Sequence, residues 1–156
     1  MTNSSDNKKA LAVAALRSGT VIDHIPASSL FKVVEILDIP SMKEAVTIGF
    51  NLESTQMRRK GIIKIDRTEL PDNIINRIAI AAPGASINII RDYKVVSKFQ
   101  VSLPEEIEGV VVCNNPKCIS RNEPMPSRFH VIDPAGPRIR CRYCEHEMQG
   151  DEIIIA

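Results

Sequence analysis

Four cysteines, arranged in two close pairs, constrain the fold of this chain more than any other feature of its sequence. A long segment separates the pairs, and the sequence contains no other cysteine. Four thiolates that converge on one point form the tetrahedral ligand set that zinc prefers, and two short turns can deliver them with little chain strain. The sequence therefore predicts one structural Zn²⁺ per chain, held by Cys113, Cys118, Cys141 and Cys144.

Two other uses of the cysteines compete with a metal site. Two disulfides would suit a secreted protein, but the apolar stretch Ala10 to Leu16 is too short for a signal peptide and ends at Arg17. A redox pair at Cys141 and Cys144 would open a helix in a βαβ unit, which this segment does not resemble, and it would leave the other pair unexplained. We therefore expect a cytoplasmic protein with reduced thiols.

The position of the cysteines also indicates two domains. All four follow residue 112, and the polar, proline-bearing segment 103–106 marks a change in composition. We expect a first domain over residues 1–104, with a loose polar arm over 1–9, and a second domain over 105–156. About fifty residues bury too little apolar surface to fold alone, and a structural metal commonly replaces the missing core at this size.

Hydrophobic periodicity in the first domain predicts strands that alternate with helices. Helices are predicted from Ser28 or Ser29 to Leu37 and from Pro71 to Ala82. The βαββαβ order, with additional strands, is that of a ferredoxin-like α+β sandwich. The predicted strands cover 12–17, 20–25, 45–52, 61–66, 86–91 and 94–102.

The second domain is predicted to be a small all-β unit of the zinc-ribbon type. Its expected strands cover 110–113, 128–132, 138–141 and 152–155. Charge differs between the domains, because residues 1–104 carry 14 Lys or Arg against 10 Asp or Glu, whereas residues 105–156 carry 6 against 9. Four thiolates and one Zn²⁺ would make the second domain more negative still.

A zinc-ribbon protein that binds single-stranded nucleic acid is the alternative function. Such binding needs positive charge and exposed aromatic side chains, and the zinc half holds only Phe129 and Tyr143. We therefore expect no nucleic-acid partner. No apolar run is long enough for a transmembrane helix, so we expect no membrane partner either.

No group of residues in the sequence predicts catalysis. The sequence shows no nucleophile with a base, no paired carboxylates and no open metal position at recognisable spacing. One cluster suggests a small-molecule ligand, since Asp23, His24, Lys64 and the basic segment 58–60 could bind a sugar and a phosphate. The same cluster is also compatible with a solvated basic face.

Several segments resemble the regulatory chains of aspartate carbamoyltransferases. The likeness is collinear and extends over both predicted domains, and the cysteine spacing agrees with it. The segments are GTVIDHIP at 19–26, TIGFNL at 47–52, RKGIIKI at 59–65, YKVVSK at 93–98 and SLP at 102–104.

The resemblance implies a noncatalytic subunit in pyrimidine biosynthesis whose first domain binds nucleotides, CTP as inhibitor and ATP as activator. It further implies a homodimer of regulatory chains formed through the first domain, and docking on the catalytic chain through the zinc domain. In this family two catalytic trimers are joined by three regulatory dimers.

The resemblance also implies roles for individual residues. Asp23 and Lys64 would hold the ribose and the base, and the triphosphate would face His24, Asn88 and Lys98. The base pocket would be lined by side chains or backbone groups of Val13, Leu16, Ile62, Tyr93 and Val95.

The chain departs from the family pattern at two positions. Ala14 stands where a Glu beside the base is usual, and base binding survives this change if the position supplies only backbone groups. Lys117 stands between the first two cysteines where a small polar amide is familiar, which suggests a matching carboxylate on the catalytic chain.

Overall fold

The computed structural model of this protein describes residues 16–156. The predicted arm over 1–9, most of the predicted strand 12–17, Val13 and Ala14 lie outside these residues. The chain forms two compact units: the first contains the described residues up to Leu70 together with Ala85–Gln100, and the second contains Pro71–Gly84 together with Val101–Ala156. The domain boundary at residue 104 stays a prediction.

The first unit is built on a five-stranded antiparallel sheet. Its strands lie in the order β2-β3-β1-β4-β5. The arrangement of β1 to β4, with helices in the β1–β2 and β3–β4 connections, is that of the ferredoxin-like fold and confirms the predicted α+β class. The strands are β1 (Gly19–Pro26), β2 (Val46–Glu53), β3 (Arg59–Asp66), β4 (Ser86–Arg91) and β5 (Lys94–Gln100).

A two-residue turn joins β4 to β5 and fixes their register. Asp92 and Tyr93 have φ angles of 50° and 64°, which is the left-handed conformation that a tight type I′ hairpin turn requires at both central positions. Arg91 and Lys94 lie opposite each other across the turn. The predicted hairpin around Asp92 and Tyr93 is therefore confirmed.

Helix α1 (Leu30–Leu37) covers one face of this sheet. Leu30, Val33 and Leu37 are buried along one side of the helix. A Cβ atom at Gly61 of β3 would lie only 2.7 Å from the side chain of Leu30, so glycine permits the helix to approach the strand closely. The helix ends at Asp38, whose left-handed backbone (φ 51°) closes the last turn.

Helix α2 (Asp72–Ala81) lies in the second unit. Asp72 in its first turn interacts favourably with the positive end of the helix dipole. Ile78, Ala79 and Ile80 are buried near its C-terminal end. The chain turns at Ala82, directly before Pro83, as the sequence predicts.

The rest of the second unit consists of short strands and one helical turn. Four strands form an antiparallel sheet in the order β10-β9-β8-β6, and β7 pairs with β11 in a separate two-stranded sheet. Phe129, Ile139 and Met148 are completely buried and form much of its core. The elements are β6 (Glu106–Glu108), β7 (Val111–Val112), α3 (Ile119–Asn122), β8 (Arg128–Asp133), β9 (Arg138–Cys141), β10 (Glu147–Gln149) and β11 (Ile154–Ile155).

The helices within residues 16–156 are all too short or too polar to cross a lipid bilayer.

Candidate functional site

Each cysteine pair is presented by a turn beside a short element of the second unit. Cys113 follows β7 and Cys118 precedes α3, whereas Cys141 ends β9 and Cys144 lies in the turn before β10. The four Sγ atoms lie within 4.8 Å of one another. The Sγ atoms of Cys113 and Cys144 are 3.6 Å apart, and those of Cys118 and Cys141 are also 3.6 Å apart.

These distances fit a tetrahedral metal site and exclude disulfides. A zinc ion with bonds of about 2.3 Å to four thiolates holds the sulfur atoms roughly 3.8 Å apart. A disulfide bond would bring two sulfur atoms to about 2.0 Å, and all four cysteines are unpaired. Four protein thiolates leave no open position for a substrate, so the arrangement suits a structural metal rather than a catalytic one.

Burial controls the ionisation of the thiols. Burial raises the pKa of the Cys113 thiol to about 12, and it also raises the pKa of Cys141. Burial acts in the same direction on Cys144, but hydrogen bonds from the His146 backbone, the Asn115 side chain and other groups outweigh it and bring the pKa of Cys144 to about 7. A bound metal must therefore displace protons from the buried thiols, which makes its affinity fall as the pH falls.

Groups around the sulfur atoms hold the two turns in place. The backbone N–H of Tyr143 donates to Cys141 Sγ at 3.4 Å, and Ser120 Oγ lies 3.0 Å from Cys118 Sγ. The side-chain amide of Asn122 donates to the carbonyl oxygen of Cys118 at 2.9 Å. Such contacts fix the orientation of metal ligands and stabilise negative charge on sulfur.

A second group of predicted site residues lies in the first unit, on the sheet face opposite α1. Val21 of β1 is opposite Lys64 of β3 and Asn88 of β4, and Asn88 is opposite Lys98 of β5. Residues directly opposite in antiparallel strands share a face. Lys64, Asn88 and Lys98 therefore form one row across the sheet, which we call the cross-strand row. Gly61 approaches α1 and Lys64 is three positions away in β3, so the row faces away from the helix.

Four other predicted residues lie on or beside the same face. Asp23 is two residues from Val21 in β1, and Ile62 is two residues from Lys64 in β3, so both share the face of the cross-strand row. A bulge between Ile89 and Ile90 places Val95 opposite Ile90, so that Val95 also joins this face. Tyr93 is 67% exposed in the adjoining turn.

Leu16 is connected to the same region through its neighbour in the chain. Leu16 is half-buried, and the carbonyl oxygen of Arg17 accepts a 2.9 Å hydrogen bond from the N–H of Tyr93. This bond ties the β4–β5 turn to the segment that contains Leu16. Val13, the remaining predicted residue of the base pocket, lies outside the described part of the chain.

Asp23 is the centre of a polar cluster at the end of β1. Its carboxylate accepts a hydrogen bond from the His24 N–H at 2.7 Å and another from Lys60 Nζ at 2.8 Å. His24 has a φ of 57° at an irregularity between Ile22 and Ile25, a conformation that costs a non-glycine residue free energy. Its ring Nδ1 lies 3.0 Å from Ser86 Oγ.

Lys60 belongs to the basic segment 58–60 of the predicted ligand cluster, but the resemblance implies no individual role for it. Strand alternation gives the missing signal, because Lys60, Ile62 and Lys64 occupy every second position of β3 and share a face. Lys60 and Lys64 thus place two ammonium groups on the face that carries Asp23.

The ionisation of Lys64 is affected by its surroundings. Its partial burial lowers the pKa of the ammonium group, and the carboxylate of Asp23 opposes this by raising it. A partly desolvated ammonium group beside a carboxylate is stabilised when an anionic or polar ligand contacts it in place of water. The arrangement can therefore bind a ligand that carries both phosphate and hydroxyl groups.

Two family models match this protein and together cover most of the chain. The model of the allosteric domain of the aspartate carbamoyltransferase regulatory chain matches residues 11–102, and the model of the metal binding domain of the same family matches residues 105–154. Among curated relatives, the aspartate carbamoyltransferase regulatory chain of Bacteroides thetaiotaomicron is 54% identical over 151 residues, which cover 97% of this chain and 99% of the relative.

Two further relatives are similar to this chain over most of their length. The regulatory chain of Parabacteroides distasonis is 53% identical over 97% of this chain and 99% of its own length. That of the archaeon Pyrococcus abyssi is 44% identical over 92% of this chain and 96% of its own length. The protein belongs to the family of aspartate carbamoyltransferase regulatory chains, and it is a noncatalytic regulatory subunit with an allosteric domain and a metal-binding domain.

Proposed function

We propose that this regulatory chain binds CTP and ATP on the open face of its five-stranded sheet and transmits their effect to an aspartate carbamoyltransferase catalytic chain in pyrimidine biosynthesis. CTP inhibits and ATP activates the partner. The observation that carries the proposal is the cross-strand row of Lys64, Asn88 and Lys98 beside the carboxylate of Asp23. The row combines cationic and polar groups on one sheet face, as a nucleotide requires.

Each group on this face suits one part of a nucleotide. Asp23 accepts hydrogen bonds from ribose hydroxyl groups, and Lys64 contacts the ribose and the base. His24, Asn88 and Lys98 face the triphosphate, where lysine supplies a point charge and the amide a directed hydrogen bond. The base lies among side chains or backbone groups of Val13, Leu16, Ile62, Tyr93 and Val95.

The proposed metal is zinc, with one ion in each chain. Four cysteine sulfur atoms within 4.8 Å form a soft, closed ligand set, which favours zinc over the oxygen-preferring Mg²⁺ and Ca²⁺. The ion supplies a covalent cross-link between the two turns. A reduced four-cysteine site also fits the cytoplasm, where thiols are not oxidised to disulfides.

We assign the docking of the catalytic chain to the metal-binding domain and dimer formation to the allosteric domain. Ile119 and Tyr143 are 53% and 36% exposed beside the metal turns, where a docked catalytic chain would cover them. In the first unit, the rings of Phe31 and Phe50 pack in a tilted arrangement at a centroid distance of 5.2 Å, although both are more than half exposed. They lie on α1 and on the edge strand β2, and a second regulatory chain would cover them.

Charge reversal at Lys117 is expected to weaken association with the catalytic chain by at least about tenfold, because a carboxylate there would meet the carboxylate that we propose on the partner. Lys117 is exposed between Cys113 and Cys118. Sedimentation velocity of Lys117→Glu mixed with the catalytic chain measures the effect, with metal content checked in the same samples. Lys32→Glu, an equal charge change on α1, is the control. Association of Lys117→Glu at the wild-type level would remove this contact from the proposal.

Calorimetric titration of the purified metal-loaded chain with CTP and with ATP tests the proposed function directly. We expect saturable binding of each nucleotide, and we expect each to compete with the other because they share one site. A single-stranded oligonucleotide is titrated in parallel. Binding of the oligonucleotide without binding of either mononucleotide would instead support the nucleic-acid-binding alternative.

A further inference from the structure

The guanidinium group of Arg77, in α2, is bonded to three carbonyl oxygens. Its Nε donates to the carbonyl oxygen of Ala156 at 3.1 Å, and one terminal nitrogen donates to that of Gly109, also at 3.1 Å. The other terminal nitrogen bonds within the helix, to the carbonyl oxygen of Asn73 at 3.4 Å. One planar side chain thus ties the helix to two separate segments of the second unit.

The two distant carbonyls belong to the same end of the two-stranded sheet. Gly109 lies just before β7 and Ala156 just after β11, and the N–H of Ala156 donates to the carbonyl oxygen of Val110 at 2.9 Å. At its other end, β7 leads directly into Cys113 of the metal site. A displacement of α2 would therefore shift β7, the strand that leads into Cys113.

The chain also connects α2 directly to the proposed nucleotide site. The helix is the connection between β3, which carries Lys64, and β4, which carries Asn88. A ligand that changes the spacing or mobility of these two strands acts on both ends of the connection. Among the helices within residues 16–156, only α2 lies between two strands that each carry a residue of the cross-strand row.

We infer that Arg77 is a positioning residue for regulation: it passes the effect of a bound nucleotide from α2 to the β7–β11 sheet and the metal turns. This inference rests on the proposed function, because it requires that the first unit binds a nucleotide. A lysine could not replace Arg77 fully, since a single ammonium group lacks the planar fork of donors that reaches two carbonyls in fixed directions.

Hydrogen exchange of the full metal-loaded chain, with and without saturating CTP, tests the inference. In the wild-type chain, CTP is expected to change the exchange of amides in 109–113 and 153–156. In Arg77→Gln this CTP-dependent change is expected to fall by about fivefold or more, within the range of a typical allosteric coupling. The dissociation constant for CTP, measured by calorimetry, should stay within about twofold of the wild-type value, because Arg77 does not contact the proposed site.

Two variants distinguish a loss of transmission of the nucleotide effect from a general loss of structure. Arg77→Lys keeps the charge and one donor and is expected to restore part of the CTP-dependent change. Arg128→Gln removes an exposed guanidinium from the same unit, where it pairs only loosely with Glu108 at 3.8 Å, and it should behave as wild type.

The possible outcomes distinguish the inference from the proposed function. If the wild-type chain binds no nucleotide, the proposed function fails and the inference fails with it. If CTP binds and changes the exchange of these amides equally in wild type and Arg77→Gln, or changes it in neither, the inference is overturned while the nucleotide site stands. Loss of CTP binding in Arg77→Gln would also overturn it, because the residue would then act on the site itself.

Discussion

Cys141→Ser is expected to release the metal ion and to unfold the β-sheets of the second unit. Cys141 is completely buried, and the hydroxyl group of serine does not ionise at neutral pH to replace a thiolate. Structural zinc contributes an apparent binding free energy of about 10–16 kcal/mol in small domains, which is comparable to the whole net stability of a typical protein. Metal analysis and thermal unfolding of the purified variant measure the two effects.

A matched control lies in the same turn. Tyr143→Phe keeps all four thiols and the backbone N–H that donates to Cys141, and it loses only a 3.4 Å hydrogen bond from the phenol to the carbonyl oxygen of Pro126. It should retain one metal ion per chain and unfold close to the wild-type temperature. A Cys141→Ser chain that keeps its metal and its unfolding temperature would show that the ion does not support the fold.

The metal centre is the part of this protein that the sequence predicts best. Its four ligands are all the cysteines of the chain, so spacing alone selects them. Three short elements of the second unit, β6, β10 and α3, are not predicted. β6 and β10 contain three residues each and α3 contains four, which is too few for hydrophobic periodicity to show. β6 forms by pairing with β8, about twenty residues further along the chain, and β10 forms by pairing with β9.

The sheet face that carries the cross-strand row shows a different limit of prediction from the sequence. Alternation within one strand predicts which residues share a face, and it would place Val95 and Lys98 on opposite faces because they are three positions apart. The bulge between Ile89 and Ile90 brings both to the same face. Bulges depend on pairing between strands, so a single sequence does not reveal them.

The contact between Asp23 and Lys60 would add a step to the proposed nucleotide binding. The two groups form an ion pair at 2.8 Å in which both side chains are about four-fifths buried. A ribose hydroxyl that donates to Asp23 must share the carboxylate with Lys60 or displace it. The pair holds the carboxylate in one orientation beforehand, which lowers the entropy cost of binding.

Lys64→Ala is expected to weaken the binding of both CTP and ATP by about 10- to 100-fold, the effect of losing one charge-assisted hydrogen bond to a ligand. Lys64 lies at the β3 end of the cross-strand row, its pKa is already lowered by burial, and the variant would leave Asp23 without that neighbouring charge. Calorimetric titration gives both dissociation constants. Lys32→Ala, an exposed lysine on α1, should bind both nucleotides as wild type does. Equal affinities in wild type and Lys64→Ala would show that the nucleotides do not bind on this sheet face. A loss of affinity for one nucleotide alone would show that CTP and ATP use Lys64 differently.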